Sequence, residues 1–236
     1  MNPSYERRLS KTLPQVHERI AEATDASGRE SDTVRLVAVT KAHPLDAVAA
    51  ALAAGLTDLG ENRIEELEEK VGALGRDSAT WHMIGHLQSR KARRASELAH
   101  LIQSVDSARL GARISRFAEE EEIIVRILAQ VNTSGEPSKS GFGVASAVDD
   151  ILCLAALPGI RVEGLMTMAP FGADDKKLTS TFRMLRKIHG QLRAQVDLVG
   201  PELSMGMTND FEIAIEEGST MIRIGTALFG KRMVHD

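Results

Sequence analysis

Lys41 follows an apolar stretch, Leu36 to Val39, and its placement asks for a chemical explanation. A lysine partly desolvated at the end of a buried strand presents a neutral, nucleophilic amine. Such an amine can form a Schiff base with an aldehyde cofactor. The plainer reading is a solvated lysine that merely ends a strand. A second cluster lies near the C-terminus. Ser204, Gly206, Thr208 and Asn209 precede a helix that begins near Asp210, and Gly225-Thr226 follow a further apolar run. Glycines let backbone N–H groups approach phosphate oxygens, and hydroxyls donate further bonds. Asn209 with Glu212 three residues later also fits a capping box, which competes for the same N–H groups. Arg223 interrupts the apolar run Met221 to Ile224. A permanent charge in a buried strand needs a partner. A pyridine nitrogen, a phosphate and a carboxylate such as Glu202 all remain open.

Other candidates are weaker. His82 and His86 are four apart, as in a helical zinc pair, but they fall on a strand, where that spacing separates them by about 13 Å. No third ligand is evident, and no metal site is expected. Gly141-Phe142-Gly143 lacks the strand-to-helix context of a dinucleotide fingerprint and reads as a loop. The one cysteine, Cys153, excludes a disulfide framework and reads as a small buried hydrophobe. The run Arg90, Lys91, Arg93, Arg94 reads as a solvated helix face.

These residues must be positioned by something, and the chain supplies a rhythm. Pro3 to Ala26 is a helix, with Leu9, Leu13, Val16, Ile20 and Ala23 at steps of three and four. Gly28 ends it. Strands then alternate with helices: Val34–Thr40, Thr57–Gly60, Thr80–Ile84, Leu101–Val105, Ile123–Val131, Ile160–Met166, Glu202–Met205 and Met221–Ile224. The second and seventh are the weakest. Eight strand–helix repeats imply parallel pairing with crossover helices, and the count of eight favours a closed (β/α)8 TIM-type barrel over an open doubly wound sheet. The expected organisation is one domain over residues 1–236, with the N-terminal helix at 1–28 and the barrel at 34–230. Active sites of such barrels lie at the C-terminal ends of the strands. Lys41, Asn62, His86, Asp106, Asn132, Thr167, Ser204 and Gly225 all fall there.

The 236 residues are 43% hydrophobic and 26% charged, a soluble globular composition with enough chain for its own core. A net charge of −4 gives no global attraction to nucleic acid or an anionic membrane. The N-terminus is too polar for a signal peptide, and no apolar run could span a bilayer. A cytoplasmic protein is expected, monomeric, with a dimer left open.

Several ordered blocks then carry a resemblance: LVAVTKAHP from Leu36, GENR from Gly60, WHMIGHLQSRK from Trp81, SVDS from Ser104, QVNTSGEPSKSGF from Gln130, GLMTMAP from Gly164, and LSMGMTNDFEIAIEEGSTMIRIGTALFG from Leu203. Over Val34 to Gly230 the sequence resembles the pyridoxal 5′-phosphate (PLP) homeostasis proteins of the YggS/PROSC type, also called PLPBP. The residue after Lys41 and the arginine after Glu61-Asn62 depart from the commonest form. The resemblance implies a fold-type III PLP barrel like the N-terminal domain of alanine racemase. It implies Lys41 as the Schiff-base lysine, with Ser204, Thr208, Gly225 and Thr226 around the phosphate. It places Asn62, His86, Met166 and Arg223 around the ring. It further implies a protein that manages PLP and delivers it to apo-enzymes.

The rival is a PLP enzyme such as an amino-acid racemase. Racemases of this fold type carry a second, β-rich domain and a tyrosine acid/base. This chain ends at Asp236, and its one tyrosine, Tyr5, falls in the N-terminal helix, away from any evident rim. Two-sided proton transfer needs a group opposite Lys41, and His86 is the one imidazole placed to try. No catalytic residue is therefore assigned. A barrel that uses Lys41 as a counter-charge for a sugar phosphate, without a Schiff base, is the third reading.

Overall fold

Apolar residues that recur with a helical period wrap apolar strands with a continuous buried pattern, and the result is a closed barrel. The computed structural model describes residues 3–30, 33–136 and 139–230. The chain opens with α1 (Pro3–Ala26). Then follow β1 (Arg35–Val39), α2 (Leu45–Ala53), β2 (Asp58–Glu61), α3 (Ile64–Leu74), β3 (Thr80–Met83), α4 (Ala92–Leu98), β4 (Leu101–Val105) and α5 (Ala108–Glu120). The second half runs β5 (Val125–Asn132), β6 (Phe142–Gly143), α6 (Ala147–Ala155), β7 (Ile160–Met166), α7 (Asp175–Arg193), β8 (Val199–Ser204), α8 (Phe211–Glu216), β9 (Met221–Ile224) and α9 (Thr226–Phe229).

Every pairing is parallel, in the order β1-β2-β3-β4-β5-β7-β8-β9. β9 returns to β1 with Val37 opposite Arg223, which closes the eight-stranded barrel. This is the TIM-type fold expected from the repeat. The helices bury one stripe each. In α5 it is Leu110, Ile114, Phe117 and Ala118, and in α7 Leu178, Phe182, Leu185, Ile188 and Leu192. Helix α1 lays Leu9, Val16, Ile20 and Ala23 into the main core, and its neighbours are α2, α8 and α9. The barrel interior holds a separate apolar cluster of Val37, Leu101, Leu128, Met166 and Met221.

Four expectations need correction. β5 starts at Val125, because Glu122 turns with φ 53° and leaves Ile123 and Ile124 exposed. β8 starts at Val199, three residues before the expected strand, and runs through Gly200 and Pro201. Phe142 and Gly143 form a short strand on β5 rather than a loop, with Val131 opposite Phe142. Cys153 is exposed: α6 turns Ile151 and Leu154 inward and the cysteine outward. Among the described residues no helix is long and apolar enough to cross a membrane.

Candidate functional site

Lys41 occupies the turn after β1, half-buried, as the barrel topology requires of a rim residue. The backbone around it is tightly held. Thr40 N–H donates to Gly60 O at 3.1 Å, and His43 N–H donates to Thr40 O at 3.0 Å. Ala42 adopts φ 56°, a left-handed conformation costly for a residue with a Cβ. Its N–H donates to Glu66 Oε2 on α3 at 2.6 Å, which fixes the turn.

Behind this turn lies a buried charge pair that the sequence did not signal. Lys70 Nζ donates to Glu61 Oε1 at 2.6 Å and to Thr40 O at 2.8 Å, while Thr40 Oγ1 donates to the same carboxylate oxygen. Glu61 Oε2 has no partner and no solvent contact. Burial pushes the Glu61 carboxyl up to about 7, against the opposing pull of Lys70 and Thr40. The pair clamps the residue that precedes Lys41.

The loops after β8 and β9 meet β1 closely. A Cβ on Gly225 would come within 3.1 Å of Val39 O, so glycine lets this turn lie directly against the end of β1. Thr208 Oγ1 accepts a long bond from Ala227 N–H at 3.4 Å, tying the two loops together. Thr226 is exposed and Gly225 half-buried at the mouth. The alternative reading, an Asn209–Glu212 capping box, does not form. Asp210 is the N-cap of α8 and accepts Met207 N–H at 2.6 Å, while Glu212 accepts Arg19 Nε of α1 at 2.7 Å.

Arg223 is buried in the barrel, and its guanidinium meets neutral acceptors. Nη1 donates to Ser204 Oγ at 2.5 Å and Nη2 to Thr167 O at 2.9 Å. The Glu202 alternative fails, because Glu202 pairs with Arg35 and accepts from Thr220 Oγ1. Burial lowers Arg223 to about 10, and Asp210 opposes that shift from a distance. The group therefore stays cationic at neutral pH.

The remaining expected residues divide between mouth and floor. A Cβ on Gly85 would overlap Asn62 O, so the loops carrying Asn62 and His86 are neighbours on the rim. His86 Nδ1 pairs with Asp106 Oδ2 at 3.1 Å and its ring is mostly exposed. Met166 is fully buried in the interior apolar cluster beneath the mouth. Ser204, expected near a phosphate, is fully buried with its hydroxyl engaged by Arg223 and Gln103. His82 is remote from His86 in role, since it bonds Asp58 and Gln103 inside the barrel. Tyr5 is not away from the rim: its hydroxyl lies 3.3 Å from Nδ1 of His43, two residues past Lys41. Buried polar residues inside apolar strand runs, such as Gln103 in LIQSV, were the available signal for the interior set.

The mouth thus joins a strand-end lysine, a glycine-and-hydroxyl cradle, a buried cation without a carboxylate partner among the described residues, and an apolar floor. That donor set fits an aldehyde bearing a phosphate and an aromatic nitrogen. Fold and site define a barrel of the alanine racemase N-terminal type, and residues 13–233 match the family "Alanine racemase, N-terminal domain". A Clostridium difficile alanine racemase shares the fold at TM-score 0.76 and 15% identity, covering 98% of this chain and 58% of that one.

Within that class the chain belongs to the pyridoxal phosphate homeostasis protein family. It is 40% identical over 228 residues to the Pseudomonas aeruginosa member, covering 95% of this chain and 96% of the relative. The Aquifex aeolicus member is 36% identical over 225 residues, 95% of this chain and 97% of the relative. The structure of PipY from Synechococcus elongatus with PLP bound superposes at TM-score 0.79 with 37% identity, covering 91% of this chain and 100% of that one.

Proposed function

We propose that this chain binds PLP as a Schiff base on Lys41 and serves to hold and hand on that cofactor, without turnover of its own. One observation carries the reading: the Gly225–Thr226 turn packs against Val39, two residues from Lys41, so an amine and a phosphate cradle share one mouth. The names of the relatives and the PLP-bound PipY structure support it.

In this reading Lys41 would hold the cofactor through its amine, at the aldehyde carbon. Thr208, Gly225 and Thr226 hold the phosphate. Met166 forms the floor, and Asn62 and His86 border the ring. Bound PLP supplies a pyridine ring that can act as an electron sink. Arg223, a donor that stays cationic at neutral pH, would face the ring nitrogen and keep it unprotonated, which would weaken that sink. Residues 1–236 act as one PLP-binding domain in the cytoplasm, as a monomer. The partners are PLP and apo-enzymes that receive it, with no role for nucleic acid or membrane.

The test is reduction. PLP-treated protein gains an absorbance band near the visible edge, and borohydride leaves the label on the peptide containing Lys41. Lys41→Ala loses both. A wild-type protein without the band overturns the cofactor assignment and favours the sugar-phosphate reading. Label on another lysine moves the anchor.

A further inference from the structure

The interior of the barrel carries a continuous hydrogen-bonded chain from one end to the other. Asp58 is the first residue of β2, at the end opposite the mouth, and its Oδ1 lies 3.0 Å from His82 Nε2. His82 Nδ1 lies 2.9 Å from Gln103 Nε2. Gln103 Oε1 accepts Ser204 Oγ–H at 2.7 Å, and Ser204 Oγ accepts Arg223 Nη1 at 2.5 Å. His82, Gln103 and Ser204 are fully buried and Arg223 nearly so, while the Asp58 side chain is partly exposed beside Arg35.

The two ends fix the sense of every bond between them. An ionised Asp58 can only accept, so His82 Nε2 must carry the ring proton. The ring stays neutral, since burial holds His82 below its ordinary value despite Asp58. Nδ1 is then an acceptor, which turns the Gln103 amide nitrogen toward His82 and its oxygen toward Ser204. Ser204 must donate to that oxygen, leaving a lone pair aimed at Arg223. All dipoles in the chain point the same way between a buried cation and a distant anion, an alignment in which each bond polarises the next.

We propose that Asp58, His82, Gln103 and Ser204 are positioning residues for Arg223. Asp58 sets the polarity of the chain from the far end of the barrel, and Ser204 belongs to this chain rather than to the phosphate cradle. The proposal rests on the PLP reading for its consequence, but the chain itself exists in the protein without cofactor. Arg223 and its ring contact are shared by PLP and pyridoxal, whereas the phosphate cradle serves PLP alone. The two roles for Ser204 therefore separate cleanly.

The affinities of PLP and of pyridoxal are to be measured for wild type, Ser204→Ala, Gln103→Leu and Asp58→Asn, with Thr208→Ala as the cradle control. Each interior variant is expected to weaken both ligands by a common factor of about fivefold, the value of one well-made hydrogen bond. Thr208→Ala should weaken PLP alone. Nitrogen-15 spectra of the protein without cofactor supply the second readout. Wild-type His82 is protonated at Nε2, and Asp58→Asn, which can donate as well as accept, shifts the ring toward the other tautomer. A Ser204→Ala loss confined to PLP would return Ser204 to the phosphate, and unchanged affinities in all three interior variants, or a His82 tautomer indifferent to Asp58→Asn, would overturn the positioning role. If wild type itself fails to trap PLP on Lys41, the cofactor reading fails separately, and the His82 spectra still decide the chain.

Discussion

At the scale of single residues, the site combines a buried acid–base pair and a buried lone cation, which are compensated in different ways. Glu61 and Lys70 neutralise each other at 2.6 Å behind Lys41, whereas Arg223 is met by dipoles. Removing the carboxylate strands the buried Lys70 ammonium, so Glu61→Leu should cost about 3–5 kcal/mol at neutral pH. The double variant Glu61→Leu/Lys70→Met strands nothing and should unfold in urea within about 1 kcal/mol of wild type. The pair also imposes a pH dependence of known sign. Glu61 is raised to about 7 in the native state, from an ordinary value of 4.5, so the native protein binds this proton more tightly than the unfolded chain. Its contribution to stability is complete below the ordinary value and is lost as pH rises through the native one. Urea midpoints taken at about pH 5 and about pH 8 should fall more for wild type than for the double variant. Equal falls would show that Glu61 is ionised across the whole range. Lys41, Arg223 and the glycine–hydroxyl pairs were legible in the sequence because each broke the local pattern of a strand end. Glu61–Lys70 was not, because a lysine in the acidic helix IEELEEKVGAL reads as one more surface charge until the helix is docked.

At the scale of elements, α1 is a brace for the mouth and not an appendage. Thr12 Oγ1 donates to Leu228 O at 2.9 Å, Arg19 reaches Glu212, and Tyr5 meets His43. The Arg19 guanidinium also stacks 4.5 Å from the centre of the Phe211 ring. Helices α8 and α9, which carry the two candidate phosphate loops, are thereby packed between α1 and the barrel. Leu9 is 1% exposed where α1 packs on the main core, so Leu9→Ala should cost about 2–5 kcal/mol. Thermal unfolding measures the loss, and amide exchange should quicken in α8 and α9 more than in α4 and α5. Uniform quickening would mean that α1 stabilises the barrel as a whole and braces no particular loop. The helix was readable from its three-and-four spacing, and most strands from their apolar runs. β8 began late in the sequence reading for a physical reason. Gly200 and Pro201 look like turn residues, but a Cβ on Gly200 would come within 2.6 Å of Glu163 O, and one on Gly164 would overlap Glu202 O. These glycines permit a close approach of β7 and β8 where their register shifts, a three-dimensional demand with no local pattern.

At the scale of the whole molecule, charge is balanced locally, and chemistry is gathered at one end. The basic run of Lys91, Arg93 and Arg94 is answered by Glu65, Glu121 and Glu68, so it presents no net basic face. At this scale the proposed anchoring of PLP on Lys41 raises the question of whether the cofactor would do any work here beyond being held. Racemisation needs proton donors and acceptors on both faces of a bound amino acid, together with a ring that can accept electrons. On the proposed placement of the ring, Arg223, cationic at neutral pH, would oppose the second requirement. For the first, the one tyrosine of the chain has its hydroxyl 3.3 Å from His43 Nδ1, and His86 is tied to Asp106 on the rim. PLP-loaded protein in deuterium oxide should therefore exchange the α-hydrogen of L-alanine no faster than free PLP at the same concentration. Proton NMR of the alanine methyl and α-hydrogen signals follows this directly. Exchange well above free PLP that disappears in Lys41→Ala would make the chain an enzyme and overturn the carrier reading. Exchange below free PLP would instead mean that the barrel protects the cell from the cofactor's own reactivity, as a holding protein should.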